Sequence, residues 1–175
     1  NVVAQQGLVQ LGMALAARWL AKNFNRPDFP IFDYDVYTVC GDGDMMEGVS
    51  SEAASLAGHQ MLGNLCWFYD SNRVTIEGHT DLAFSDDVAA RFLAYGWNVQ
   101  RIGDANDTTQ VEKAIKTFRD TKDVPTLIVV ESHIGYGAPH KHDTSAAHGE
   151  PLGEEEVRLA KRSYGWPEEE KFLVP

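Results

Sequence analysis

Apolar and polar positions follow two different periods along this chain, and the changes between them predict helices that alternate with strands. Apolar residues recur at helical spacing from Leu8 to Leu20, which predicts a first helix over roughly residues 5–24. Further along, short apolar runs predict strands, and amphipathic segments between them predict helices. The predicted strands are DVYTVC, LCWFYD, NVQRI and PTLIVVES; the predicted helices are SSEAASLAGHQML, SDDVAARFLAYG, TTQVEKAIKTFRDT and GEEEVRLAKRSYG.

This alternation predicts the α/β class, with a parallel sheet and helices on both faces. With 175 residues the chain is long enough for a sizeable core, so residues 1–175 are expected to form a single domain. We expect Gly63 to close the helix that begins in the SSEAAS segment. The longest irregular segment, residues 133–153, is expected to be functional, because loops of such length are seldom mere connections.

The charge balance disfavours one broad class of partner. The chain has 26 acidic and 15 basic residues, which gives a net charge of −11. Acidic surfaces repel phosphate backbones and anionic bilayers, so neither nucleic acid nor a membrane surface is expected as a general partner. The first residues lack the features of a signal peptide, and Gln10 and Arg18 interrupt a segment too short to span a bilayer. Any anionic ligand would be held locally, by a metal, backbone amides or histidines.

The two cysteines, Cys40 and Cys66, each lie inside an apolar run. Two reduced thiols in the core of a cytosolic protein fit this placement better than a disulfide or a metal-binding pair. We therefore expect a cytoplasmic location.

Glycines flank an aspartate directly after the first predicted strand, and an asparagine follows the next one. The segments are VCGDGDMMEG, residues 39–48, and YDSNRVTIEG, residues 69–78. Asp42 is expected just beyond the first strand, a few residues before a helix whose start favours anions, and Asn72 just beyond the second. Open α/β sheets bind ligands at the carboxyl ends of their strands, so both side chains are expected in one crevice. Gly41 and Gly43 leave room for a ligand to approach the backbone.

The oxygen-only character of this set indicates a hard cation. A carboxylate, an amide oxygen and a loop carbonyl suit Mg²⁺ or Ca²⁺ when phosphate oxygens complete the coordination. The residues therefore predict a metal-bridged diphosphate site, without naming the rest of the ligand. The alternative is that G-D-G is a turn and Asn72 a plain loop residue, which is the usual meaning of an isolated G-D-G.

The sequence GDG…E followed by DSN resembles the signature of thiamine-diphosphate enzymes. Four longer segments together resemble transketolases, in order from Gly12 to Pro175: GDGDMMEGVSSEAASLAGHQMLGNLCWFYDSNRVTIEG, DVAARFLAYGWNV, PTLIVVESHIGYG and HGEPLG. The combination of IGYG with HGEPLG points to transketolase or to its close relative dihydroxyacetone synthase. The resemblance implies part of the thiamin diphosphate-binding fold. It places residues 1–175 within the diphosphate-binding domain, with the pyrimidine-binding and C-terminal domains absent.

The resemblance also implies how the metal and the diphosphate would be held. Asp42 and Asn72 would coordinate Mg²⁺ or Ca²⁺ together with the main-chain carbonyl of Val74. Gly41 and Gly43 would lie against the diphosphate of the cofactor.

Further matching positions concern the thiazolium ring, the substrate and the subunit interface. Asp70, Ile76 and Ile134 would line the thiazolium region, with the isoleucines as an apolar wall. His148, in AAHGEPL, would contact cofactor phosphate and substrate and assist proton transfer. The remaining matches are Glu47 and Glu52, which would lie near the interface of a homodimer. Sugar phosphates would be the substrates.

Each assignment has a simpler alternative. Glu47 and Glu52 could be first-turn acids that favour the helix dipole. The two isoleucines could be plain packing residues, and His148 a solvated loop residue. The clustering of His133, His140 and His142 raises the idea of a zinc site, which is disfavoured because no cysteine accompanies them.

Three departures from the family pattern affect the expected activity. The chain begins after upstream histidines of the family and ends before the domain that binds and activates the aminopyrimidine. NVVAQQ stands where the family has a Gly-rich GPLGQG segment, so Ala4 and Gln6 replace glycines. We therefore expect a fragment or a split-enzyme subunit that is inactive without its pyrimidine-domain partner. We expect some apolar surface to be exposed where partners are missing, on the first helix and at Trp19, Trp67 and Trp97. The sheet would also expose edges.

Three functional hypotheses follow. The first is the diphosphate-binding part of a transketolase that moves a two-carbon ketol unit from a ketose phosphate to an aldose phosphate, or the equivalent part of a dihydroxyacetone synthase. The second is a catalytically inactive transketolase-like interaction subunit, which the altered NVVAQQ favours and the intact Asp42, Asn72 and His148 oppose. The third is a metal-dependent phosphate binder unrelated to thiamine.

Overall fold

The computed structural model describes residues 2–174, and it describes side chains for residues 7–174. Helices and strands alternate through most of this range, as the sequence predicts. The helices are α1 (Val2–Phe24), α2 (Asp42–Met46), α3 (Gly48–His59), α4 (Val88–Ala94), α5 (Thr108–Asp120) and α6 (Glu154–Ser163). The strands are β1 (Val36–Gly41), β2 (Leu65–Ser71), β3 (Val74–Thr75), β4 (Gly78–His79), β5 (Asn98–Ile102) and β6 (Thr126–Glu131).

Four strands form one parallel sheet in the order β1-β2-β6-β5. Strand β1 pairs with β2 from Val36 opposite Leu65 to Gly41 opposite Asp70, so the two strands end nearly level. The predicted α/β class with a parallel sheet is therefore confirmed. All four strands of this sheet coincide with predicted strands to within one residue at each end.

Helix α5 covers one face of the sheet. Because strand residues alternate between faces, Cys66 on β2, Ile128 on β6 and Ile102 on β5 point to the same side. They pack against Ala114 and Phe118 of α5, and all five side chains are buried. The 3.6-residue spacing of apolar residues in TTQVEKAIKTFRDT produces this single apolar stripe.

The other face carries an aromatic cluster beneath α1, α3 and α4. The ring centroids of Trp67 on β2 and Trp97 lie 5.3 Å apart, and Phe92 of α4 lies 5.0 Å from Trp97. The indole N–H of Trp97 donates to the carbonyl of Ala54 in α3 over 2.8 Å. A Cβ on Gly7 of α1 would lie 2.9 Å from the Trp67 ring. Helices thus pack on both faces of the sheet, as expected.

The expected exposure of three tryptophans is confirmed for one and wrong for two. Trp19 is 61% exposed and lies on an outer face of α1 that also exposes Leu8, Val9 and Met13. Trp67 and Trp97 are only 1% and 3% exposed, because they fill the core between the sheet and its helices. Strand β1 forms one edge of the sheet, with Tyr37 and Val39 exposed.

Two glycines permit close contacts between elements. A Cβ on Gly58 of α3 would lie 1.9 Å from the carbonyl oxygen of Tyr95, and one on Gly63 would lie 2.0 Å from that of Lys122. Gly63 does not close α3, contrary to expectation: the helix ends at His59, and Met61 adopts the positive φ of 49°. Gly63 serves close packing instead.

The described chain forms two compact units. The first comprises the residues up to Ser71 together with Asp86–Ser132, and contains the parallel sheet. The second comprises Asn72–Ser85 and the residues from His133 on. It contains the antiparallel pair β3–β4, helix α6 and the long predicted loop, in which a single 3₁₀ turn spans Ser145–Ala147. Among the described residues, no helix has the length and apolar character needed to cross a bilayer.

Candidate functional site

Asp42 begins a helix directly at the carboxyl end of β1. The sequence predicts a helix a few residues later, but the short helix α2 starts at Asp42 itself, before the longer α3. The side chain is buried at 4% exposure. Its Oδ1 accepts a hydrogen bond of 2.6 Å from the hydroxyl of Tyr69, which lies on the neighbouring strand β2. A buried carboxylate is thereby held in a fixed position at the end of the sheet.

The Tyr69 hydroxyl stays protonated and donates the hydrogen bond to Asp42. Its side chain is 5% exposed, on the same face of β2 as Trp67. Burial raises the pKa of the Tyr69 phenol, and the hydrogen bond and negative charge of Asp42 raise it further. The hydroxyl therefore keeps its proton near neutral pH. The site motif does not include Tyr69, although the two-residue period of LCWFYD places it on the inward face of the strand.

Asp44 fixes the turn between β1 and α2. Its Oδ2 accepts a hydrogen bond of 2.8 Å from the backbone N–H of Gly41, and its carbonyl accepts one of 2.6 Å from the hydroxyl of Ser50. Arg91 of α4 donates to the carbonyl of Met45 over 2.8 Å. The second aspartate of GDGD thus fixes the backbone on which the first is placed, a role that the sequence pattern does not reveal.

Open space adjoins both glycines of the motif. A Cβ built on Gly41 would meet no atom within 4 Å other than those of its chain neighbours, and one built on Gly43 would meet none outside its neighbours and the backbone of α2. Packing within the described chain therefore does not require glycine at either position. The space leaves room for a ligand to approach the backbone here, which stays a prediction.

Asp70 lies at the carboxyl end of β2, where it pairs in register with Gly41 and with Val130. Its Oδ1 accepts a hydrogen bond from the hydroxyl of Ser132, which follows β6. The backbone N–H of Ser132 in turn donates to the carbonyl of Ser71 over 3.3 Å. The half-buried carboxylate is thus positioned by two adjacent strand ends.

Asn72 follows β2 directly, as predicted, and belongs to the second compact unit. Its Oδ1 accepts a hydrogen bond of 3.0 Å from the backbone N–H of Val74. Arg73, between them, adopts a positive φ of 62°, and its carbonyl accepts a hydrogen bond from Thr80. This turn brings together two of the three predicted metal ligands, the side chain of Asn72 and the backbone of Val74.

The remaining predicted cofactor contacts also lie in the second unit. Ile76 is 71% exposed in the β3–β4 turn, which excludes the alternative that it is a packing residue within the described chain. Ile134 is half-buried, and its carbonyl accepts a hydrogen bond of 2.9 Å from the N–H of Asp143. His148 is exposed directly after the Ser145–Ala147 turn. Gly135 and Ala147 lie so close that a Cβ on Gly135 would be 3.0 Å from that of Ala147, so the segments of Ile134 and His148 are neighbours.

Comparison with known proteins decides the family. The model of the thiamine diphosphate binding domain of transketolase matches residues 4–175. The chain belongs to the transketolase family. This finding confirms the resemblance carried by GDG, DSN, IGYG and HGEPLG, and it agrees with the fold described above.

Transketolases from Geobacillus stearothermophilus and Bacillus subtilis are 50% and 47% identical to the chain over 171 residues. These matches cover 97% of this chain and 26% of each relative. Among solved structures, the transketolase from Leishmania mexicana has a TM-score of 0.97 at 38% identity and matches 100% of this chain. A Pichia stipitis transketolase, described in complex with xylulose-5-phosphate, has a TM-score of 0.96 at 41% identity. The chain spans about a quarter of the length of these relatives.

The two predicted interface residues of this transketolase-family chain, Glu47 and Glu52, are both exposed. Glu47 occupies the N-cap position of α3 without a capping hydrogen bond from its side chain. Glu52 lies beyond the first turn of α3, where the helix-dipole alternative does not apply. The altered NVVAQQ start falls on residues 1–6, whose side chains lie outside the described part of the structure.

Both cysteines are free and buried, as expected. Burial, aided by the nearby charge of Asp35, raises the pKa of the Cys66 thiol to about 12. Burial also raises the pKa of Cys40, whose thiol donates to the carbonyl of Phe68. Both thiols therefore stay protonated near neutral pH, which disfavours a role as a thiolate nucleophile.

Proposed function

We propose that the chain supplies the diphosphate- and metal-binding part of a transketolase active site. In the assembled enzyme a two-carbon ketol unit would pass from a ketose phosphate to an aldose phosphate. The observation that carries this proposal is the buried carboxylate of Asp42, held by Tyr69 at the carboxyl end of a parallel strand. It occurs in a chain that matches the thiamine diphosphate binding domain along nearly its whole length.

The proposed metal ligands are the carboxylate of Asp42, the side-chain oxygen of Asn72 and the main-chain carbonyl of Val74. All three are oxygen donors, which suits Mg²⁺ or Ca²⁺ bridged to a diphosphate. The turn at Arg73, with its positive φ, orders Asn72 and Val74 relative to each other. The family match supports the cofactor, thiamine diphosphate, and the chemistry of the donor set supports the metal.

The open space beside Gly41 and Gly43 supports an approach of the diphosphate to the backbone there. Asp70, Ile76 and Ile134 would line the thiazolium ring, which supplies the electron sink of the reaction when the cofactor is bound. The 71% exposure of Ile76 supports this role, because a large apolar side chain gains by being covered.

His148 is the proposed catalytic residue of this chain. Its exposed side chain follows a turn that packs beside the loop of Ile134, so it is available to a phosphate or a substrate oxygen. An imidazole there would bind the anionic group and move a proton to or from a substrate hydroxyl.

The same family membership supports a proposal for the partners of the assembled enzyme. They would be sugar phosphates and a segment or subunit that binds the aminopyrimidine. A second copy would pack near the exposed Glu47 and Glu52. The family role would place the enzyme in the pentose phosphate pathway. The two buried, protonated thiols support a cytoplasmic location.

A chimeric enzyme tests the activity. The segment of the Geobacillus stearothermophilus transketolase that matches this chain would be replaced by the chain, and ketol transfer between a ketose phosphate and an aldose phosphate would be measured. We expect activity that His148→Gln lowers by 100-fold or more, on the order of a lost general acid–base group. The matched control, His59→Gln, removes an exposed histidine of α3 and should retain activity. A folded, dimeric chimera that binds cofactor but transfers no ketol unit would contradict the proposal.

A further inference from the structure

The second compact unit contains a cluster of three metal-ligating side chains that the transketolase chemistry does not use. His133, His142 and Asp143 each present one ligand atom, and these atoms all lie within 4.8 Å of one another. The cluster differs from the grouping suggested by the sequence, because His140 turns away to Glu156 and Asp143 takes its place. We propose that this cluster is a binding site for a divalent transition-metal ion, with Zn²⁺ as the favoured metal.

The geometry of the cluster is close to that of a metal site. Nδ1 of His133 lies 2.9 Å from Oδ2 of Asp143, and Nε2 of His142 lies 3.1 Å from the same oxygen. In tetrahedral zinc sites with bonds of about 2.0–2.1 Å, neighbouring ligand atoms are separated by roughly 3.3 Å. Small side-chain rotations would therefore admit an ion among the three groups.

Backbone hydrogen bonds within the loop help to bring the ligands together. The N–H of Asp143 donates to the carbonyl of Ile134 over 2.9 Å, which closes the loop next to His133. The N–H of His142 donates to the carbonyl of Ala138 over 2.9 Å. Asp143 has a positive φ of 55°, which turns the chain at this point. The ligands are thus positioned by the fold of the loop.

The type and exposure of the ligands favour a transition metal over Mg²⁺. Two imidazoles and one carboxylate suit Zn²⁺, Co²⁺ or Ni²⁺, whereas Mg²⁺ and Ca²⁺ prefer oxygen ligands. The side chains of His133, His142 and Asp143 are 55%, 36% and 37% exposed, which leaves one side open for a water ligand. The rings of His133 and His142 are stacked with centroids 4.9 Å apart, and both imidazoles contact the same carboxylate, that of Asp143. This site is chemically distinct from the oxygen-only site proposed for the cofactor metal.

Titration of the untagged protein with CoCl₂, followed by visible absorption, tests the proposal. We expect saturable binding of one Co²⁺ per chain that ZnCl₂ displaces and that a large excess of MgCl₂ does not. His133→Gln and His142→Gln should each weaken binding at least tenfold, as should Asp143→Asn, which keeps a residue that tolerates positive φ. His140→Gln is the matched control from the same loop, and it should bind Co²⁺ like the parent.

A second measurement uses the parent protein alone. Zn²⁺ should shift the imidazole proton resonances of two of the six histidines, and assignment should show that these are His133 and His142. Absence of saturable Co²⁺ binding would overturn the site. So would binding that survives either histidine change, or that His140→Gln weakens equally. Thiamine diphosphate is not present in these experiments, so their outcome does not depend on the proposed function.

Discussion

The hydroxyl of Tyr69 donates a 2.6 Å hydrogen bond to Oδ1 of the buried Asp42. The two residues lie at the carboxyl ends of paired parallel strands, with Tyr69 opposite Cys40 in the register of β1 and β2. Hydrogen bonds to charged groups are worth more than neutral ones, and a buried carboxylate without partners is costly. Sheet register therefore positions the side chain that we propose as the first ligand of the metal.

Removal of the Tyr69 hydroxyl should weaken cofactor binding. We expect Tyr69→Phe to raise the Kd for Mg²⁺–thiamine diphosphate by about tenfold, the size of one lost hydrogen bond to a charged group. The reason is that Asp42 loses the donor that orients it. Calorimetric titration of both proteins measures the effect. Tyr34→Phe, at an exposed tyrosine, is the control, and a Kd unchanged by Tyr69→Phe would show that the hydroxyl does not position the ligand.

Two helical glycines should respond to alanine in opposite directions. Gly58→Ala places a methyl group 1.9 Å from the carbonyl oxygen of Tyr95, so α3 must move, and we expect a loss of about 3 kcal/mol in the free energy of unfolding. Gly12→Ala in α1 meets no atom within 4 Å and should gain roughly 0.5–1 kcal/mol from lower chain entropy. Urea denaturation measures both. Equal effects of the two changes would contradict the packing of α3 against the end of α4.

Acid should loosen the long loop through Glu156. This carboxylate accepts hydrogen bonds from the backbone N–H groups of His140, at 2.6 Å, and Lys141, at 3.2 Å, and it also contacts the His140 ring. Burial raises the pKa of Glu156, whereas the hydrogen bonds from His140 and Lys141 lower it. The lowering effect is larger, so the pKa lies below its ordinary value. A lowered pKa means that the stabilisation is present above the ordinary glutamate value, roughly 4.3, and is lost as the pH falls through the lower folded value.

Glu156→Gln should therefore lower the unfolding temperature at pH 7, and the difference from the parent should shrink as the pH falls below about 4. Thermal unfolding of both proteins across this range is the measurement. Glu150→Gln, at an exposed glutamate, should follow the parent at every pH. A difference that stays constant with pH would mean that the charge of Glu156 is not responsible.

The longer helices and strands were predictable from the sequence because the spacing of their apolar residues matches the spacing of buried positions in each element. NVQRI is strand β5 without a change of boundary, and TTQVEKAIKTFRDT differs from α5 by one residue. The five-residue helix α2 and the two-residue strands β3 and β4 were missed, since elements this short show no period. The predicted partial exposure of Trp67 and Trp97 was wrong. The sequence does not distinguish an apolar residue covered by a helix of the same chain from one covered by a separate partner.

Part of the candidate site is also predictable from the sequence, and part of it is not. The positions of Asp42 and Asn72 directly after β1 and β2 follow from the strand pattern, and the motif gives their residue types. The contacts that hold them do not follow, because Tyr69 and Asp44 act through register and a local turn. The contact between His133 and Asp143 depends on the backbone hydrogen bond that joins Ile134 and Asp143. The spacing of apolar residues in the sequence does not predict such a contact within a loop.

The most direct test of the proposed metal and diphosphate site is calorimetric titration of thiamine diphosphate in the presence of Mg²⁺, together with any partner that carries the pyrimidine-binding domain. We expect Asp42→Ala to raise the Kd at least 100-fold, because loss of a metal ligand exceeds the 10- to 100-fold cost of a lost supporting contact. Asp120→Ala, which removes an exposed carboxylate of α5, should bind like the parent. Equal affinity of the parent and Asp42→Ala would contradict the site.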